Sequence, residues 1–417
     1  MKLIKKLKDW KNHLKANFTK DQSRMFVLFL DGFFPSEAIF GLFGFSYLNM
    51  FQNSEKYQKC RKIFFWSSII IAMFLMILTM TNFIVIAGKL EKFAETFETF
   101  VFLGAYIFTS MKTVFLCYSK RLSLGKILDR LEQYFPHSNR EQMQFGVIKY
   151  HKMMWNLYYI GVILYVYCWA NYTGLALFSF CYNIFEFGDM KVELLTPIYF
   201  LWDPYQPLLY PIFFIFQAWT VMVLIAMLLA TDIFMCSLIC VTSMEFDVLA
   251  QKLALLDPES DENAEKKLFE IIDGYNELSD ISNEIEKIFT MLLLANVFAG
   301  ILYICLCVFF SFTPIRTYLV IKYLPVLPGV SIQLFFTCYY GELLQTSSLH
   351  VANGAYNSNW YGQNLKFRKM ILLTMVKAQK PQVLTGCKFL EIGMPIFYWS
   401  LQTAHSYYSL LSGLYKG

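Results

Sequence analysis

IFFWSSIIIAMFLMILTMTNFIVIAG, from Ile63 to Gly88, runs for 26 residues without an Asp, Glu, Lys or Arg. About 20 apolar helical residues cross a hydrocarbon core roughly 30 Å thick, so this stretch alone is long enough to span a bilayer. Five more charge-free runs follow it: Met153–Phe185, Pro204–Thr231, Ile288–Ile315, Tyr323–Gly341 and Ile392–Tyr415. A seventh candidate, Thr99–Ser119, is interrupted only by Lys112, whose long stem can carry its amine to an interface or into a polar interior. The composition agrees. Of the 417 residues 57% are hydrophobic and 16% charged, against about 25% charged in a soluble globular protein. With 18% aromatic residues, the chain has more apolar surface than one soluble core of this length buries. A net charge of +5, dispersed along the chain, argues against a nucleic-acid binder.

Seven crossings put the termini on opposite sides of the membrane. With the N-terminus in the cytosol, 29 of the 36 Lys and Arg fall in cytoplasmic segments, as basic residues do in membrane proteins. The fold class expected is therefore all-α, a seven-transmembrane helical protein with a cytosolic N-terminus and an exoplasmic C-terminus, plus a cytoplasmic helical anchor region. That orientation is the reverse of a G-protein-coupled receptor. Ala38–Phe51, 14 apolar residues with Gly41 and Gly44, is too short to cross and reads as a re-entrant or interfacial element. Leu3, Ile4, Leu7, Trp10 and Leu14 among lysines read as an amphipathic surface helix. The organisation expected is a cytoplasmic N-terminal segment over 1–62, spans one to four over 63–244 on the ligand-binding side, a cytoplasmic stalk over 245–287, and spans five to seven over 288–417. The last part includes an anchor segment at 342–387 and a pore helix at 388–415.

The stalk carries the clearest period. Leu268, Ile271, Ile272, Tyr275, Leu278, Ile281, Ile285 and Ile288 recur at steps of three and four and run without a breaker into the fifth span. Phe246, Leu249, Leu253 and Leu256 continue the fourth span in the same way, and Asp257–Pro258 offers an N-cap followed by a proline at the first helical position. Leu343–Leu365 is uncharged but too polar for lipid, and Phe367–Met375 reads as a short helix ended by Pro381.

No hydrolase or nucleotide-binding motif is present, which argues against an enzyme and against a cofactor. The ten cysteines form no Cys-x-x-Cys pair, and Cys236, Cys240, Cys305 and Cys307 sit within or beside spans as small apolar fillers. Lys112 and Asp232 are the only ionisable groups near the spans, so the carboxylate relays of proton-coupled transporters are missing. A ligand receptor or gated pore remains. Tyr158, Tyr165, Trp169 and Tyr172 share one face of the third span, with Phe97, Phe100 and Val101 on the second span and Phe213, Phe216 and Gln217 on the fourth at similar depth. These groups suit an apolar pocket for a small organic ligand, or equally an aromatic belt at the membrane interface. In the last span Thr403, Ser406, Tyr407, Ser409, Leu410, Ser412, Gly413 and Leu414 alternate small polar with apolar groups. Copies around an axis would line a pore with Leu410 and Leu414 as a dewetting constriction, or the small residues serve helix packing.

The C-terminal third resembles the insect odorant receptor family. It carries Gly341-Glu342-Leu343-Leu344, Ala355-Tyr356-Asn357-Ser358-Asn359-Trp360-Tyr361, Arg368-Lys369-Met370 and Gln379-Lys380-Pro381. Leu384-Thr385-Gly386-Cys387-Lys388-Phe389 and Ser406-Tyr407-Tyr408-Ser409-Leu410-Leu411 follow in that family's order. Gustatory receptors share the topology but usually end the last helix in a Thr-Tyr and Gln-Phe pattern, where this chain has Ser406-Tyr407 and Gly413-Leu414. The family's co-receptor has a longer loop between spans four and five, so the chain resembles a ligand-tuning subunit. The resemblance implies a non-selective cation channel opened by a volatile organic ligand, assembled as a heterotetramer with the co-receptor in the plasma membrane of a sensory dendrite, in contact with membrane lipid. It implies a pocket at Phe97, Phe100, Val101, Tyr165, Trp169, Tyr172, Phe213, Phe216, Gln217, Gln333 and Phe336. It also implies a gate at Leu410 and Leu414, with Gly413 standing where the co-receptor tends to carry Gln.

Overall fold

In a computed structural model the chain is almost wholly helical, and the structure describes residues 27–42, 55–86, 93–187, 195–196, 199, 209–256, 263–312 and 324–416. The helices are α1 (Phe34–Leu42), α2 (Glu55–Ile86), α3 (Phe93–Val114), α4 (Arg121–Tyr134), α5 (Asn139–Gln144), α6 (Val147–Phe187), α7 (Leu209–Ala254), α8 (Ala264–Phe312), α9 (Leu327–Asn357), α10 (Leu365–Ala378) and α11 (Met394–Lys416). Helices α2, α3, α6, α7, α8, α9 and α11 coincide with the seven expected spans. Among the described residues, Phe65–Ile86, Val147–Phe178, Pro211–Ala254 and Ala264–Val308 are long and apolar enough to cross a membrane by length and composition. The expected amphipathic helix around Trp10, residues 43–51 of the short apolar stretch, and Asp257–Pro258 lie outside the described residues.

Lipid as the outer solvent explains the surface of α2. Ile63, Ile70, Ile77 and Ile84, seven residues apart, form an exposed apolar stripe, while Ser68, Ala72, Leu75, Thr79 and Asn82 face inward. Helix α7 is the opposite case. Every residue from Ala230 to Phe246 is buried, which is what a helix apolar on all sides requires. Two of its hydroxyls bond within the helix, Thr242 donating to the Leu238 carbonyl at 2.9 Å and Ser243 to the Ile239 carbonyl at 2.8 Å. Helices α1, α2, α3, α4, α6, α8 and α9 all pack against α7.

At about 1.5 Å per residue, the 49 residues of α8 extend over roughly 70 Å, more than twice a hydrocarbon core. Of its predicted stripe Leu268, Ile271, Tyr275, Leu278, Ile281, Ile285 and Ile288 are buried and Ile272 is half-buried, with Phe246, Leu249, Leu253 and Leu256 of the α7 end buried as well. The described part of α8 starts at Ala264. Helix α4 adds a further layer through Leu124, Ile127, Leu128 and Leu131, and its Arg130 forks to Glu277 (2.6 Å) and Glu284 (2.8 Å) of α8. These groups are partly exposed, so solvent screening limits the clamp. Arg130→Ala is expected to cost about 1 kcal/mol, read as a small drop in the melting temperature of the solubilised protein, and Arg130→Lys to recover only part because it loses the fork.

The short apolar stretch does not lie free at an interface in the part described. Ile39 and Phe40 are buried, and α1 packs on α7 with the Phe33 and Phe234 rings 5.9 Å apart. Helix α9 runs unbroken through the polar segment Leu343–Asn357 because its Ser347, Ser348, Val351, Gly354 and Ala355 press against neighbouring helices. Asn364 caps α10, accepting from the Phe367 N–H at 2.8 Å. The last helix begins at Met394 rather than near Lys388, because the intervening residues form a hairpin of β1 (Thr385–Gly386) and β2 (Leu390–Glu391). Cys387 and Lys388 take left-handed backbone angles in its turn. Thr290 of α8 holds them there, donating to the Thr385 carbonyl at 2.8 Å and accepting from the Cys387 N–H at 2.6 Å. Glu342 of α9 then accepts from the first N–H of α11, at Met394, placing a carboxylate at the positive end of that helix.

Candidate ligand cavity

Helices α3, α6, α7, α8 and α9 leave two adjoining cavities of about 190 and 210 Å³ between them. The first lies among Val101, Phe102 and Phe108 of α3, Leu224 of α7, Asn296, Gly300 and Tyr303 of α8, and Leu334 of α9. The second lies among Gly161, Tyr165 and Cys168 of α6, Asp232 and Cys236 of α7, and Gly329 and Phe336 of α9. Tyr172, Ile225, Leu228, Val326, Val330, Gln333 and Thr337 line both. An engineered cavity of about 150 Å³ takes benzene, so each chamber holds a molecule slightly larger than a single ring.

An ion pair stands beside the joint between them. Lys112 of α3 is 2% exposed, and its Nζ donates to Asp232 Oδ1 of α7 at 2.6 Å. Gln333 of α9 donates its Nε2 to the other carboxylate oxygen, and the Lys112 amine lies 4.5 Å from the centre of the Phe108 ring. Both carboxylate oxygens are satisfied, and the charge is shared among three helices in a medium with little water to solvate it. Of the two destinations open to Lys112, the structure shows the polar interior. Three lining hydroxyls are committed: Tyr303 donates to the Val101 carbonyl at 2.9 Å, Tyr165 to the Met222 carbonyl at 3.0 Å, and Thr337 to the Gln333 carbonyl at 3.1 Å.

Five of the eleven residues expected at the pocket meet here: Val101, Tyr165, Tyr172, Gln333 and Phe336. Trp169, Phe100, Phe213, Phe216 and Gln217 are not among the lining residues of these two cavities. Trp169 turns its indole N–H to the Ala218 carbonyl at 3.3 Å, whereas Tyr165 and Tyr172, seven residues apart, share the inner face. Phe100 and Phe216 are exposed on the bundle surface, where an aromatic belt sits, and Phe213 is half-buried. Gln217 is buried and donates to the Thr196 carbonyl at 3.2 Å. The side chain of Phe97 lies outside the described residues. Asn296, Tyr303 and Asp232 are lining residues that pattern reading does not single out for a pocket, since isolated polar groups in apolar helices carry no period. On α11, Leu410 and Gly413 are exposed along with Gln402, His405, Ser406 and Ser409, and the side chain of Leu414 lies outside the described residues.

The bundle is thus a multi-span helical membrane fold with nearly apolar space between its helices of a size that suits a small organic molecule. Residues 92–405 match the family described as 7tm Odorant receptor, and the chain belongs to that family. It is 20% identical to Odorant receptor 85c of Drosophila melanogaster over 87% of this chain and 93% of that one. It is 22% identical to Odorant receptor 49a of the same species over 70% of this chain and 74% of the relative. Its fold superposes with a TM-score of 0.73 on the insect olfactory receptor OR5 from Machilis hrabei in complex with eugenol, at 13% identity and covering 87% and 92% of the two chains.

Proposed function

We propose that the chain is the ligand-tuning subunit of an odorant-gated, non-selective cation channel, with the twin cavity around Tyr172 and Gln333 as its odorant site. The single observation that carries the reading is that almost wholly apolar space between the helices, with a satisfied polar joint, in a chain of this family. The N-terminus lies in the cytosol and the C-terminus outside, as the distribution of basic residues indicates. The protein works in the plasma membrane of a sensory dendrite, surrounded by lipid, in a heterotetramer with the family's co-receptor. Subunits meet through the charged end of the bundle, where α10 leaves Leu365, Leu372, Leu373 and Val376 exposed although flanked by Lys366, Arg368, Lys369 and Lys377. The last helix lines the conduit with its open face of Gln402, Ser406, Ser409 and Gly413, and Leu410 and Leu414 close it. Odorant burial favours the state in which these helices stand apart, through differential affinity for open over closed.

Co-expression with the co-receptor is expected to give odorant-evoked cation current. Truncating a wall by Tyr172→Ala or Phe336→Ala removes about 2 kcal/mol of contact and shifts the half-maximal concentration roughly 30-fold, while Trp169→Ala shifts it less. A Cβ added at Gly413 meets nothing within 4 Å in its own chain. Gly413→Cys is therefore expected to reach the surface normally and to make the current sensitive to a charged thiol reagent. Currents indifferent to both wall truncations reject the site; currents indifferent to the reagent reject the pore assignment. An epitope fused after Gly417 that stays unlabelled on intact cells rejects the orientation.

A further inference from the structure

Asn296 is the one buried side chain at the first cavity with two idle hydrogen-bonding atoms. It is 7% exposed, and neither its Nδ2 nor its Oδ1 has a hydrogen-bond partner among the described residues. An unpaired buried amide costs free energy, so a native bundle keeps one where something else completes it. The neighbours on α8 are built around it. Ala299, Gly300 and Tyr303 follow at three, four and seven residues, on the same helix face, and line the same cavity. The donors of Tyr303, Thr337 and Gln333 do not serve its Oδ1, because they go to Val101, the Gln333 carbonyl and Asp232. The terminal torsion of Asn is broad, so a small rotation turns the amide toward an occupant.

Resting on the odorant-site reading above, we propose that Asn296 sets the chemical class of the ligand: a small, largely apolar molecule bearing one hydroxyl that both donates and accepts. The Oδ1 takes the hydroxyl proton and the Nδ2 donates to the hydroxyl oxygen. An ether or ester oxygen satisfies only Nδ2, and a hydrocarbon satisfies neither. The four rings of Phe102, Phe108, Tyr172 and Tyr303 on the same walls suit a phenol as well as a short alkanol.

The test uses the chain co-expressed with its co-receptor and volatile sets matched in size: p-cresol, anisole and p-xylene, and 1-heptanol, hexyl methyl ether and octane. The hydroxyl member of each active set is expected to have a half-maximal concentration about tenfold below its ether. Asn296→Leu is close in shape and removes the orphan amide, so it is expected to reach the surface at least as well as the parent. It should erase the gap by weakening the hydroxyl compounds, which lose two hydrogen bonds, more than the ethers, which lose only the one from Nδ2. Asn296→Ala, with the same readout, covers the case in which Leu does not fit. Robust currents with no hydroxyl preference, or a preference that survives both substitutions, overturn the assignment to Asn296 and leave the channel reading standing. Silence across both sets and a broad volatile panel overturns the channel reading and this one with it.

Discussion

Asp232→Leu empties the cell surface of receptor, and adding Lys112→Met refills it: this is the expected result with the widest reach through the bundle. The single substitution leaves the Lys112 ammonium 2% exposed, with its carboxylate gone and only the Phe108 ring nearby. Removing one member of a buried pair costs about 3–5 kcal/mol, comparable with the whole stability of many domains. Gln333 loses its acceptor in the same step, so α3, α7 and α9 are released from one another together. The double variant has no stranded charge. Apolar replacements of similar volume at such a pair are about neutral, which is why Met and Leu together are expected to restore surface labelling. Two outcomes would sink the account: a single variant labelled as strongly as the parent, or a double variant no better than the single. A restored double variant also isolates the pair's contribution to odorant response, since Asp232 lines the second cavity.

Much of this architecture is legible in the sequence wherever one physical signal dominates. Charge-free length marks the spans, and a three-and-four period marks the α8 stalk through 20 residues, because a packed helix face imposes both without help from the rest of the chain. Signals made by distant partners are not legible. Lys112 and Asp232 each stand out alone, but 120 residues separate them, and nothing local says that they meet. The hairpin before α11 defies local preference, since Cys387 and Lys388 are held in left-handed geometry by Thr290, 97 residues away from Cys387. At the cavity, a shared helix face correctly groups Tyr165 with Tyr172 but cannot show that Trp169 between them rotates onto Ala218. Phe100 and Phe216 illustrate the same limit: inward aromatics and a lipid-facing belt have the same spacing, and only the packing of neighbours separates them. The α4 face of Leu124, Ile127, Leu128 and Leu131 has a clear period, yet it sits in a polar loop where hydropathy does not draw attention.

Gly354→Ala is expected to be nearly as damaging as losing Asp232, although it adds a single methyl group. A Cβ at that position would stand 2.2 Å from the Ala250 carbonyl oxygen and 2.8 Å from its carbon. The obstacle is backbone of α7, not the end of a flexible side chain, so relief requires one helix axis to move. Helix α7 cannot yield easily, because it is buried on every side between Ala230 and Phe246, one turn before the contact. Helix α9 is fixed at a second point, Gly341, where a Cβ would stand 2.4 Å from the Ile392 carbonyl oxygen. Close backbone approach at a glycine brings the two helices into dense van der Waals contact along the seam. Forcing the α7 and α9 backbones apart therefore loses packing along the whole seam, at the upper end of or beyond the roughly 1–3 kcal/mol of ordinary overpacking. Gly125 in α4 is the control, since a Cβ there meets nothing within 4 Å. Gly125→Ala is expected to be neutral or stabilising by up to about 1 kcal/mol through better helix propensity. Melting of the two solubilised variants side by side decides the matter. Equal midpoints would mean that the α7–α9 seam is looser than its geometry implies, and that the tight approach at Gly354 does not hold the charged end of the bundle together.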